Sequence, residues 1–396
     1  MTGSSLGVAV IGTGMAGRAH AAGYRTAGTL YESDLPDVRL VAVADINADS
    51  AQDTARRYGY ERAETSWQAV ADAPDIDVVS VVVANPLHRE IVEALLAAGK
   101  HVLCEKPMAP SVEDAEAMTA AASASSQEAG IGFVFRRSPA IAAIRDQVQS
   151  GAIGAPVHFN GHYWCDYACD PAGPMSWRYK GGPGSGALAD IGSHLVDVGE
   201  FLCGPVTSVR GTVLATQIDE RPLPVGTAIG HAATEVSDTF EPVENEDLVT
   251  FTATFASGAT ATLSASRIAY GLANSLGFEL FTETGAATFD LLRAGEFGFR
   301  DGSSPTATAG TRQVPVGPVH PYLTGGMAMD FPGVNHGQND LFVWQARAFL
   351  EQVSGLKHLP RLASFEEGLH NIRVLAAVVE SAHTGGAEVT IERKES

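Results

Sequence analysis

The sequence predicts an α/β domain built on a doubly wound parallel sheet, followed by an α+β domain with a large, mainly antiparallel open sheet. Three observations support this. The first third alternates short β-branched runs with helical stretches, as buried parallel strands and their crossovers do. Glycines 12, 14 and 17 follow the first run, where a helix begins. Beyond about residue 137 the pattern changes to strand candidates separated by Gly-containing turns, with helices few. The expected division is 1–137 and 138–396.

In order, the strands of the first domain are expected over 7–11, 38–44, 78–83, 102–104 and 131–135, the third being almost pure valine. Helices are expected over 16–27, 48–58, 67–71, 88–98 and 112–128, and residues 28–37 read as a loop insertion. In the second domain, 141–150 reads as a helix, 156–164 as a strand, 167–186 as a Gly- and Pro-rich loop and 187–202 as a helix. Strands follow over 206–216, 247–255, 260–268, 276–282 and 286–291, with turns at Ala256-Ser257-Gly258 and Glu283-Thr284-Gly285. A flexible loop is expected over 301–311, and helices over 338–354 and 365–383.

Composition bounds the function. A chain of 396 residues with 45% apolar and 18% charged content can bury a large core. Its formal net charge of −20 argues against nucleic acid as a partner, because phosphate binding needs a basic face. Cys104, Cys165, Cys169 and Cys203 lack paired metal-type spacing and read as reduced thiols, so no metal is expected. The N-terminal residues run into a strand without a basic region and apolar stretch, and no apolar run is long enough for a membrane span. The expected location is cytoplasmic, with no membrane partner.

Gly12-Thr13-Gly14-Met15-Ala16-Gly17 joins the first strand to the first helix. One glycine makes the turn, one admits a pyrophosphate against the backbone, and one lets helix and strand pack closely. The helix N-terminus attracts the phosphate charge. Gly12, Gly14, Met15 and Ala16 are therefore cofactor candidates. Asp45 ends the second strand, where a carboxylate accepts from a ribose and repels a 2′-phosphate. NAD is thus expected over NADP. Arg56 and Arg57 lie further along a helix and read as solvated. Asn85-Pro86-Leu87-His88 opens a helix after the valine strand, and His88 is equally a structural turn residue or a cofactor contact. The run 102–104 stops abruptly at Glu105-Lys106-Pro107, which places Lys106 at the carboxyl end of a strand, where ligands bind in such sheets.

Asp190-Ile191-Gly192-Ser193-His194 lies on the helix expected over 187–202. Residues four apart share a helix face, so Asp190 and His194 project together. Histidine is the usual general base near neutral pH, and a neighbouring carboxylate can orient substrate hydroxyls; a plain surface pair is the alternative. The preceding glycines over 181–186 lack a following basic residue and read as a flexible loop.

The glycine fingerprint, Glu105-Lys106-Pro107 and Ala189-Asp190-Ile191-Gly192-Ser193-His194 together resemble the glucose-fructose oxidoreductase / inositol dehydrogenase / rhizopine-catabolism (Gfo/Idh/MocA) family. The resemblance covers nearly the whole chain. It implies a Rossmann domain, a cis Lys106–Pro107 bond, and a catalytic set of Lys106, Asp190 and His194. It also implies cofactor contacts at Asn85, Pro86, His88, Glu105, Lys106 and Arg136, the last in the Phe135-Arg136-Arg137 segment that links the domains. Tyr163, Trp164, Trp177 and Arg178 are expected to line a sugar pocket with the catalytic set, ordinary core packing being the alternative for the two tryptophans. His336 and Asp340 are weaker candidates.

The expected activity is NAD-dependent oxidation of a secondary hydroxyl of a cyclic polyol or sugar (an inositol, monosaccharide or anhydrosugar) to a ketone. His194 takes the proton and Lys106 stabilises the oxygen, or the two exchange roles. A redox-neutral NAD-dependent glycosidase and a non-catalytic sugar sensor are the alternatives. Family resemblance implies a homodimer or homotetramer.

Overall fold

The computed structural model describes residues 5–226, 234–303, 309–317, 319–329, 331 and 334–392. The chain divides into two compact units. One holds residues 1–139 and 317–369, the other 140–316 and 370–396.

The first unit is built on six parallel strands: β1 (Leu6–Ile11), β2 (Val38–Ala44), β3 (Arg62–Glu64), β4 (Val78–Val81), β5 (His101–Cys104) and β6 (Ala129–Ile131). Their order is β3-β2-β1-β4-β5-β6, the doubly wound arrangement whose crevice opens between β1 and β4 at the carboxyl ends. Helices α1 (Met15–Ala27), α2 (Ala48–Tyr58), α3 (Trp67–Asp72), α4 (His88–Ala97) and α5 (Val112–Ala124) connect them. The central strands are buried on both faces, which is why they read as unbroken apolar runs.

Three local details differ from the sequence expectation. β6 ends at Ile131, and Val134–Arg137 coils into a single tight turn. Helix α5 stops at Ala124 because Ser125 turns extended and its hydroxyl accepts from the Gln127 amide. Residues 317–369 group with the first unit, whereas a single cut after Arg137 assigns them to the second.

Helix α8 (Gln338–Val353) explains that grouping by lying on α1, after α6 (Pro139–Gln149) and α7 (Ser193–Cys203) in the chain. The approach is close: a Cβ on Gly23 would sit 2.8 Å from the Phe342 carbonyl oxygen. Arg347 of α8 donates to the Ala27 and Leu30 carbonyls and to Ser33 Oγ, and its Nε donates to Glu351 Oε1 at 2.7 Å. Both side chains are essentially fully buried.

The second unit carries a nine-stranded sheet. Its strands are β7 (Pro156–Trp164), β8 (Val206–Ala215), β11 (Leu248–Phe255), β12 (Thr260–Ser266), β13 (Ser275–Thr282), β14 (Gly285–Asp290), β15 (Glu296–Asp301), β16 (Arg312–Pro315) and β17 (Val389–Thr390). Among the described residues of this sheet, only β7 and β12 pair parallel; the other pairings are antiparallel. A separate ribbon pairs β9 (Glu220–Pro224) with β10 (Val236–Pro242). β3 and the edge strands β16 and β17 are short, and their apolar patterns are too brief to read from sequence. Part of the loop expected over 301–311 lies outside the described residues.

Helix α7 covers one face of this sheet: a Cβ on Gly161 of β7 would meet Leu195 of α7 at 2.9 Å. Helix α9 (Phe365–His383) closes the fold. No helix among the described residues is long and apolar enough to cross a membrane.

The Arg347–Glu351 pair gives a stability test. Glu351→Ala leaves a buried guanidinium unpaired and frees the Leu359 amide that Glu351 Oε2 accepts. The expected loss is about 3–5 kcal/mol, read from chemical denaturation of purified protein.

Candidate active site

The glycine loop lies at the crevice of the six-stranded sheet. Gly12 has φ +100°, and a Cβ there would sit 2.0 Å from the Val82 carbonyl oxygen. A Cβ on Gly17 would sit 2.0 Å from the Gly12 oxygen, whereas one on Gly14 meets nothing within 4 Å. Two glycines thus close the turn and the third keeps space open above α1. That helix has no side-chain cap, so its first amides at Met15, Ala16 and Gly17 face the opening uncapped. This cradle fits a dinucleotide pyrophosphate.

Asp45 stands at the end of β2. Its Oδ2 accepts from Thr13 N at 2.8 Å and Thr13 Oγ1 at 2.6 Å, and Oδ1 accepts from Asn47 N at 2.9 Å. The carboxylate is locked beside the glycine loop, as an adenosine ribose requires. Thr13, which holds Asp45, was passed over by motif reasoning because it occupies an unspecified place between glycines.

Glu105 and Lys106 follow β5, and the Lys106–Pro107 bond is cis. Glu105 is buried. Its Oε1 lies 2.8 Å from His20 Nε2, and its Oε2 accepts from Lys106 N at 3.1 Å. Burial works to raise its carboxyl pKa, but the His20 hydrogen bond and the nearby positive charges outweigh that and hold it below the usual range. Glu105 therefore holds the Lys106 loop. Asn85 and Pro86 form a tight turn after β4, partly and largely exposed respectively. His88 is fully buried, with Nδ1 3.1 Å from the Met108 carbonyl and Nε2 3.1 Å from that of Val83. The geometry supports the structural alternative for His88. Arg136 donates to Glu367 Oε1 at 2.6 Å and lies over the Phe133 ring.

In the second unit, the helix expected over 187–202 begins as a π turn, Leu188–Gly192, before α7. Ser193 N bonds the Leu188 carbonyl, five residues back, and Ser193 Oγ donates to the Ala189 carbonyl at 2.7 Å. Asp190 and His194 both lie on this segment. Asp190 Oδ2 accepts from Tyr167 Oη at 2.6 Å. The Tyr163 ring lies 6.2 Å from that of His194, and its hydroxyl donates to Asn274 Oδ1 at 2.8 Å. Tyr163, Tyr167, Asp190, His194 and Asn274 thus form one cluster within this unit.

Trp164 is not part of it. Successive strand residues face opposite sides, and Trp164 stacks on His162 at 5.2 Å, on the face away from α7. The expectation that Tyr163 and Trp164 line one pocket is therefore corrected. Trp177 is 56% exposed, with the Arg178 guanidinium 4.5 Å from its ring centre. His336 groups with the first unit, its ring edge-on to Trp344 at 5.5 Å. Asp340 accepts from the Gly337 amide at the start of α8.

A strap absent from the sequence reading fixes this region. Asn245 Nδ2 donates to the Arg178 and Lys180 carbonyls. Glu246 Oε2 accepts from Gly184 N at 2.7 Å and Oε1 from Leu188 N at 2.9 Å. Asp247 accepts from Arg267 Nε at 2.8 Å. The sequence shows only acidic residues at a strand start, with nothing to mark them as buried.

Residues 6–133 match the model of an oxidoreductase family with an NAD-binding Rossmann fold, and residues 141–288 match the GFO/IDH/MocA C-terminal domain. The chain belongs to the Gfo/Idh/MocA oxidoreductase family. It is 35% identical over 383 residues to levoglucosan dehydrogenase of Pseudarthrobacter phenanthrenivorans, covering 96% of each chain. It is 34% identical over 205 residues to D-glucoside 3-dehydrogenase of Escherichia coli, covering 52% of this chain and 56% of that one. The solved structure of levoglucosan dehydrogenase with NADH and levoglucosan superposes with a TM-score of 0.88 at 32% identity, covering 98% of this chain and all of that one. As a Gfo/Idh/MocA oxidoreductase, the protein carries the family's NAD-binding Rossmann fold over residues 6–133.

Buried histidines of the Rossmann unit make stability pH-dependent. Burial and the His336 charge push His320 down to about 4 from 6.5, and burial also lowers His88. Depressed histidines bind fewer protons folded than unfolded, so their contribution is complete above about pH 6.5 and is lost as pH falls towards 4. The thermal midpoint is expected to drop steadily across that window, with a shallower slope in His320→Gln.

Proposed function

We propose that the protein oxidises a secondary hydroxyl of a cyclic sugar to a ketone with NAD, and that anhydrosugars of the levoglucosan type are its substrates. The observation that supports this best is one helical segment carrying Asp190, bonded by Tyr167, and His194, facing the Tyr163 ring, in a chain aligned over 96% of its length with levoglucosan dehydrogenase.

Held at the glycine loop and Asp45, NAD would supply the hydride acceptor for the carbinol carbon. His194 takes the proton from the hydroxyl oxygen, so that the carbon–oxygen double bond forms as the C–H bond breaks. Lys106 donates a hydrogen bond to that oxygen and stabilises its developing negative charge. Asp190 accepts from a neighbouring hydroxyl and fixes the ring orientation. The Tyr163 ring, 6.2 Å from that of His194, helps hold the imidazole in place. Glu105 holds the backbone of Lys106, and Asp45 accepts from the adenosine ribose.

The test is NADH formation by purified protein with NAD or NADP and a panel of anhydrosugars, inositols, monosaccharides and glycosides. Turnover is expected with levoglucosan and NAD. Cleavage of a glycoside without net NADH would replace this reading with redox-neutral hydrolysis. Lys106→Ala is expected to lower kcat by at least about a thousandfold while NAD affinity stays within twofold. A parallel loss of NAD affinity would move Lys106 out of the catalytic role.

A further inference from the structure

Tyr167 sits on the loop after β7 and takes no part in the proposed reaction. Its ring packs on a small cluster of Ala168, Met175 and Tyr179, with Leu223, Val243 and Ile268 around it. Its hydroxyl points out of that cluster at Asp190 Oδ2, 2.6 Å away. Burial, reinforced by the Asp190 charge, drives the phenol pKa far upward, so the group remains a donor across the working pH range. From the backbone side, Glu246 holds the first amide of the π turn that carries Asp190. Asp190 is therefore restrained at both its main chain and its carboxylate.

We propose that Tyr167 is a positioning residue of the dehydrogenase, holding one carboxylate oxygen of Asp190 so that the acid meets the sugar in a single orientation beside His194. The proposal rests on the dehydrogenase reading and adds a residue to it. A short hydrogen bond to a carboxylate is worth more than a neutral one, and it removes rotamer freedom that substrate binding otherwise has to remove. An unrestrained Asp190 still binds sugar, but less often in the geometry that reacts.

Tyr167→Phe deletes the hydroxyl and keeps the ring in its apolar cluster. With levoglucosan and NAD as probes, kcat is expected to fall about tenfold. NAD affinity and the thermal midpoint stay at wild-type values. In an Asp190→Ala background, the same change is expected to add less than a twofold loss, because the acceptor that Tyr167 holds is already gone. Wild-type kcat in Tyr167→Phe, or the full tenfold loss repeated in the double variant, overturns the proposal. So does a fall in kcat accompanied by losses of thermal stability and NAD affinity, which assigns the hydroxyl to folding. Wild-type turnover in Asp190→Ala instead overturns the parent reading of the site.

Discussion

A carboxylate buried at the end of β5 organises the cofactor-binding unit. An ionised acid away from water is costly unless every oxygen is paired, and Glu105 meets that condition through partners on other elements. His20 of α1 takes one oxygen and the Lys106 amide the other. His20 Nδ1 lies 3.1 Å from Ser80 Oγ in β4, and Tyr24 of α1 lies 2.9 Å from the same hydroxyl. The network joins α1, β4 and β5. Each of these adjoins one loop of the cofactor site: the glycine loop, the Asn85 turn and the Lys106 loop. The packing leaves no slack, since a Cβ on Gly132 would fall 2.5 Å from Glu105 Oε1. Mispairing at Glu105 therefore displaces all three loops together.

The second unit follows the same rule with different residues. Asn245, Glu246 and Asp247 are almost wholly buried. Together they bind backbone groups of the 178–188 segment and the Arg267 guanidinium. The Tyr179 ring lies between Arg221 and Arg267, 4.1 and 4.7 Å from their guanidinium carbons. A segment rich in glycine reads as mobile when taken alone. Here it is held by polar side chains delivered from the start of β11, so Asp190 rests on a fixed base.

What the sequence disclosed follows from the range of each signal. The parallel strands, the glycine loop, Asp45 and the Lys106 turn are local patterns tied to one strand or turn, and the fold places them at the carboxyl ends as read. Partners brought from a distance were hidden. Thr13 and Asp45 are adjacent only because β1 and β2 pair. Tyr167 and Asp190 meet across a loop with no periodicity. Tyr163 and Trp164 show the limit most clearly: both read as sugar-lining aromatics, but strand alternation sends one towards His194 and the other to the opposite face.

The Asp190–His194 pairing was expected from α-helical spacing, yet the helix there is not an α-helix. A π turn shifts the bonding by one residue and leaves the Ala189 carbonyl without its usual amide. Ser193 Oγ fills that vacancy, while Ser193 N reaches back to Leu188. Asn371 Nδ2 then donates to the Ser193 carbonyl at 3.0 Å, tying the wide turn to α9. Gly192 belongs to the same device, since a Cβ there would already crowd Leu188 Cδ1 at 3.1 Å. The intervening Ile-Gly-Ser is therefore not a spacer between two chemical groups. Gly192 and Ser193 make the wide turn possible, and that turn sets where Asp190 stands relative to His194.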